Sequence, residues 1–216
     1  MQPSGIMVLG CPDCGGVGTY QGCSSWNTLG ARQWTDGWIS ARMKPDLPQV
    51  VQCIHCDRAH WIRDAVILEK YSSYKVPESA PEEWRRAAKV KSPDEQEYYN
   101  AIREGLGRDQ EHDLQLRTLV WHVSNHPYRE PAEGLAPPPE SGERWDNLCA
   151  MLALLEDGEG RVALQKAEVL RQLGRWQESL AALEQVNEPD YEQFVLAIRA
   201  GCQARNTLVI ELPRTE

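Results

Sequence analysis

The chain lacks most of the features that announce a function directly. Nowhere do 18 or more apolar residues run together, which excludes a membrane-spanning helix of ordinary length. The first ten residues, MQPSGIMVLG, have neither the basic start nor the long apolar stretch of a secretory leader, so a soluble, cytoplasmic protein with no membrane partner is expected. There is no GxxxxGK[ST] phosphate loop, no GxSxG elbow, no GxGxxG fingerprint and no HxE beside a cysteine pair. Ready-made nucleotide, acyl-transfer and deaminase chemistry is therefore absent, and a non-enzyme is expected.

Basic charge is also scarce. The net charge is −9, and residues 1–70 carry six Lys/Arg against six Asp/Glu, leaving 17 basic and 26 acidic residues for the remainder. All of the net acidity lies in the C-terminal two thirds, which disfavours nucleic acid as a partner of that part. Residues 1–70 contain no phenylalanine, so their core must draw on tryptophan. The cysteine count is seven, an odd number, which argues against a disulfide framework and for reduced thiols.

What is present begins with two cysteine pairs, CPDC at 11–14 and CIHC at 53–56. Each CxxC can close a tight turn whose backbone N–H groups face the sulfurs, and two such knuckles complete a tetrahedral site. Cys11, Cys14, Cys53 and Cys56 are thus expected to hold one structural Zn2+. Cys23, His55 and His60 are near enough in sequence to replace a ligand, although the middle positions of a CxxC turn should point away. Four thiolates leave no open position for a reacting water, so the metal should hold the fold rather than react. A ribbon of this size has too small a core to be more than marginal alone.

Dense Gly and Pro punctuation over residues 11–70 reads as short strands, among them QVVQC and AHWIRDAVIL. Between the knuckles, ARQWTDGWISARM reads as a hairpin with Asp36 and Gly37 at its turn. A three-residue loop sets Trp34 opposite Trp38; a two-residue loop sets Trp34 opposite Ile39. Trp26, Trp34 and Trp38 are candidate partner-binding residues, with at least one of Trp34 and Trp38 exposed, whereas Trp61 belongs to the core.

Residues 71–91 read as a linker with a short helix from Pro81. Helical periodicity then takes over. SPDEQE predicts a helix capped at Ser92 and ending near Gly105, followed by helices over about 109–124, 142–156, 160–173, 176–186 and 190–204. Residues 130–142, rich in proline, read as a spacer. His122 and His126 stand four apart, and with His112 they offer a second metal site only as a remote alternative. Cys149 and Cys202 fall in apolar helical patterns and should be buried.

CPDCG, SSWNTLGARQWTDG, KPDLP, CIHC, WHVSNHPYR and the stretch from NLCAMLALLEDGEG to AALEQV together resemble a family of uncharacterised bacterial proteins that join a zinc ribbon to a helical tail. The resemblance implies zinc and no particular activity. Asp57 stands where such ribbons often have glycine. Residues 160–186 also resemble one tetratricopeptide-type helical hairpin, with Ala167 and Ser179 at its small positions. A single such unit needs neighbouring helices to cap it.

The expected class is α+β: a small N-terminal β zinc ribbon (1–70), the linker, and an all-α antiparallel, tetratricopeptide-like domain (92–216). The expected role is a zinc-stabilised adaptor for an unidentified protein partner. A nucleic-acid-binding regulator using Arg32, Arg42, Lys44, Arg58 and Arg63 is the alternative, and a metal-dependent hydrolase the remotest.

Overall fold

The computed structural model describes residues 2–45, 47–131, 133–155 and 158–214. Asp46 of KPDLP, Ala132 of the proline-rich spacer, and Glu156 and Asp157 at the expected end of the 142–156 helix lie outside the described residues. In chain order the elements are β1 (Gln2–Gly10), β2 (Val17–Ser25), β3 (Arg32–Gln33), β4 (Ile39–Ser40), β5 (Val50–Gln52), β6 (Ala59–Trp61) and β7 (Val66–Tyr71). Then follow α1 (Glu82–Arg86), α2 (Glu95–Arg103), α3 (Gln110–Ser124), α4 (His126–Arg129), α5 (Glu143–Leu154), α6 (Arg161–Gln172), α7 (Trp176–Leu183) and α8 (Glu192–Gln203). The architecture is mixed, with small antiparallel sheets first and helices after.

The chain divides into two compact units that are not contiguous in sequence. The first comprises Met1–Leu29 and Ala41–Leu106, the second Gly30–Ser40 and Gly107–Glu216. This differs from the sequence-based division in two places. The tryptophan hairpin leaves the 1–70 module for the helical unit, and α2 groups with the strands instead of with the helices after residue 92.

In the first unit, β2, β1 and β7 form a three-stranded antiparallel sheet in that order, and β5 pairs with β6. β1 meets β7 with Leu68 as an extra residue between the Val8–Glu69 and Leu9–Ile67 pairs, a bulge that bends this edge. Val8, Val50, Val51 and Trp61 are buried. The expected linker is only partly free: the Thr19 N–H donates to Ala88 O, the Val90 N–H to Thr19 O, and the Gln52 N–H to Lys91 O. The cap of α2 is Asp94, not Ser92. Its carboxylate accepts the Glu97 N–H at 2.8 Å while the Glu97 carboxylate accepts the Asp94 N–H at 2.8 Å, so the reciprocal pair forms two residues later than the serine would allow.

In the second unit, α6 and α7 are joined by a turn at Leu173–Arg175. The Arg175 N–H reaches Leu170 O and the Gly174 N–H reaches Arg171 O, with Gly174 at φ +70°. This pairing satisfies the last carbonyls of α6 and needs a residue that enters the left-handed region freely. Ala167 and Ser179 are fully buried, and the Ser179 hydroxyl donates to Ala167 O at 2.7 Å. Leu164, Ala167, Leu183, Phe194, Ile198 and Cys202 form one apolar cluster; Trp121, Leu148, Met151 and Val169 belong to another. Cys202 is buried as expected, but Cys149 is exposed. The inward face of α5 is carried by Asn147, Leu148 and Met151, which turns Cys149 outward.

Candidate metal centre

The two knuckles are built alike. Each is the turn of an antiparallel strand pair, residues 11–16 between β1 and β2 and residues 53–58 between β5 and β6. In the first, the Gly15 N–H donates to Cys11 O and the Cys11 N–H to Gly16 O; in the second, Asp57 donates to Cys53 O and Cys53 to Arg58 O, all at 2.9–3.0 Å. Backbone N–H groups also face the sulfurs, Gly16 to Cys14 Sγ and His55 to Cys53 Sγ at 3.4 Å. Such donors offset negative charge on a thiolate.

The four sulfurs of Cys11, Cys14, Cys53 and Cys56 lie within 4.8 Å of one another, and all four are free thiols. Cys11 and Cys56 are 3.9 Å apart, Cys14 and Cys53 3.7 Å. A tetrahedral site with metal–sulfur bonds of about 2.3 Å requires sulfur–sulfur edges of about 3.8 Å. The donor set therefore fits a metal ion. Without a cation the cluster resists full ionisation. The Arg58 backbone N–H favours the Cys56 thiolate, yet burial and the three neighbouring thiols carry that thiol up to about 12. The Gly16 N–H, with help from the other cysteines, lowers Cys14 instead. A dication would reverse the penalty on Cys56.

The alternative ligands are not in the cluster. The Cys23 thiol donates to Ser25 O. The His55 ring turns away from the sulfurs and donates from Nε2 to Val17 O at 3.2 Å, joining the second knuckle to the start of β2. His60 is buried, with Nδ1 3.9 Å from Cys11 Sγ. His112 pairs with Asp109, the His122 Nε2–H donates to Asp36 O, and His126 packs edge-on against Trp38. The cysteine quartet is the one such cluster found among the described residues.

Two predictions arise from this geometry. Asp57 has φ +57° at the position Gly15 holds at +73°. Asp57→Gly should therefore stabilise the metal-bound chain by about 0.5–1 kcal/mol, read as a higher unfolding midpoint, since a side chain in the left-handed region costs about 1–2 kcal/mol and glycine returns part of that as chain entropy. At Gly16 a Cβ would stand 2.6 Å from His55 Cγ and 2.8 Å from His55 Cβ. Gly16→Ala is expected to destabilise by about 1–3 kcal/mol, seen as faster zinc loss to a chelator.

The three candidate tryptophans do not share one surface. The Trp34 N–H bonds Trp38 O and the Gly37 N–H bonds Trp34 O, so the three-residue loop forms and Trp34 faces Trp38. Trp34 is only 2% exposed, which removes it as a contact residue for a partner. Trp26 and Trp38 are half-buried. What the sequence reading missed is Asp36. Its side chain is fully buried, with Oδ1 accepting the Trp38 N–H and Arg129, and Oδ2 accepting Asn125 and Arg129 at 2.9 and 2.6 Å.

Beside it, Thr35 Oγ1 donates to Glu168 at 2.7 Å, and Glu168 also accepts from Arg171 and Gln172. The Thr35 N–H donates to Ile210 O and the Leu212 N–H to Gln33 O, adding a backbone rung on the other side. The hairpin is thus bound by its own helical unit. The sequence signal was an acidic turn flanked by two tryptophans, which reads equally well as solvated.

A groove of about 950 Å³ lies among α5, α6 and α7, lined by Cys149, Leu152, Ala163, Lys166, Leu170 and Ala181 among others. No described helix is long and apolar enough to cross a membrane. The fold and site define a mixed α+β protein with a four-cysteine cluster able to hold a metal. Comparison with protein-family models, curated proteins and solved structures finds no match; the likeness to bacterial zinc-ribbon proteins rests on the quoted residues alone.

Proposed function

We propose that this chain is a cytoplasmic, zinc-stabilised, non-enzymatic adaptor whose helical unit offers a groove to another protein. The observation that carries the reading is the closed four-thiol cluster. With all four positions taken by sulfur, a bound zinc supplies folding free energy and no open site for chemistry. Reduced, clustered thiols suit a reducing compartment. The α6–α7 pair, with Ala167 against Ser179, supports a tetratricopeptide-type unit as the source of the groove.

Charge favours a protein over nucleic acid. The first unit holds 11 Lys/Arg and 12 Asp/Glu, and the second 12 and 20. Neither has the surplus of cations that phosphate binding draws on.

Two measurements test the two halves. Elemental analysis of the purified chain should give one zinc per molecule, and cobalt substitution should give the absorption of a tetrahedral thiolate site. For the adaptor half, Ala181→Arg places a charge in the groove at an exposed position. A protein captured from native lysate by the wild-type chain should be lost from this variant with zinc content unchanged; equal capture by both would sink the groove reading.

A further inference from the structure

The four sulfurs of the cluster are not equally reachable from solvent. Cys14 is exposed, whereas Cys11 and Cys53 are only 5% and 7% exposed and Cys56 is half-buried. A small oxidant arriving from water therefore meets Cys14 first. Its sulfur lies 3.7 Å from Cys53 Sγ on the other knuckle, so the two need approach by only about 1.7 Å to reach disulfide length. Backbone bonds of the first unit keep the knuckles side by side: Thr19 of β2 bonds Ala88 and Val90, and the Gln52 N–H of β5 donates to Lys91 O one residue further on. The His55 ring adds a second tie to Val17 O. Cys23 and Cys149 lie outside the cluster and have no such neighbouring sulfur in it.

We propose that Cys14 is the site at which a hydroperoxide oxidises this protein, with Cys53 as the thiol that resolves it. The Cys14 sulfur attacks the peroxide, the O–O bond breaks, and the leaving oxygen takes the thiol proton and departs as an alcohol, or as water from hydrogen peroxide. Cys14 is left as a sulfenic acid. The Cys53 sulfur then attacks Cys14 Sγ, the S–O bond breaks, and the oxygen leaves as water with the second thiol proton. Two thiols and one hydroperoxide thus give one disulfide, one alcohol and one water, with two electrons passed from sulfur to oxygen. On the metal reading above, the same event removes two of the four ligands, and the ion is released. In a reducing compartment such a disulfide is transient, which suits a sensing role.

The test treats the full, zinc-loaded chain with hydrogen peroxide at about one equivalent. Zinc is followed with a colorimetric chelator, and disulfides are mapped by mass spectrometry without reduction. Zinc release should match the Cys14–Cys53 disulfide mole for mole, and a thiol reductant with added zinc should reverse both. Cys53→Ser, which lacks the resolving sulfur, should accumulate a Cys14 sulfenic acid that dimedone traps. Cys149→Ser should release zinc as the wild type does. A first disulfide within either knuckle would overturn the proposal, as would first oxidation at Cys11 or Cys56, or zinc release with no disulfide formed. A chain that binds no metal yet forms Cys14–Cys53 sinks the metal reading and supports this one, whereas bound zinc with any other first disulfide sinks this proposal alone.

Discussion

Asp36→Asn should lower the stability of the helical unit by about 3–5 kcal/mol, the usual cost of leaving one member of a buried ion pair without its partner. The variant keeps the size of the side chain but strands the Arg129 guanidinium, whose side chain is 6% exposed against 0% for Asp36. Urea unfolding followed by helical circular dichroism reads the loss as a lower midpoint. Adding Arg129→Met should recover part of it, because the second change removes the orphaned charge. A double variant no more stable than Asp36→Asn would mean that the charge pair is not the cause.

The same pair gives a pH dependence. Burial pushes the Asp36 carboxyl upward, but the Arg129 guanidinium, with the His122 charge and the Asn125 amide, more than offsets it and holds the group below the usual carboxylate range. A carboxyl lowered by folding stabilises fully above its unfolded value of about 4, and that stabilisation is lost as pH falls through the folded value. Below pH 4 the wild-type midpoint should fall with pH more steeply than that of Asp36→Asn.

Cys53→Ser carries the second large effect. Removing one of four thiolates opens the shell, and apparent binding free energies for structural zinc run to about 10 kcal/mol or more. Zinc content should drop from one per chain toward none after dialysis against a chelator, with loss of amide protection at Val51 and His60, the hydrogen-bonded pair of β5 and β6. Cys23→Ser, whose thiol lies outside the cluster, should retain full zinc. Equal zinc retention by both variants would exclude Cys53 as a ligand.

The knuckles were readable in the sequence because everything they need is local. CxxC spacing, a residue that enters the left-handed region (Gly15 or Asp57) and a following strand are set within about six residues. The helices were readable for a similar reason, and α3 and α6 begin and end within a residue or two of the expected bounds. Asp94 displaced Ser92 as a cap because SPDEQE contains two acceptable starts, and only the Glu97 return bond separates them.

The seat of the hairpin was not readable. Asp36 meets residues 89 and 93 positions away, and Thr35 meets Glu168 across 133. A charged residue at a turn is ordinarily solvated, so local pattern argues for the wrong environment until the tertiary partners are known. The same limit explains Cys149, whose apolar neighbours in sequence face the core while it does not.

The interleaved path also fixes an order of events at the ribosome. Gly30–Ser40 emerges well before any of the side chains that receive it, and the Ile210 N–H that bonds Thr35 Oγ1 is synthesised 175 residues later. A nascent chain adds roughly 5–20 residues per second. For many seconds Trp34 and Asp36 are therefore without their final surroundings, while the knuckles on either side can already close. Vectorial synthesis thus seats this hairpin last, and a messenger truncated before Ile210 would leave the Thr35 backbone and hydroxyl without the partners that the C-terminal segment supplies.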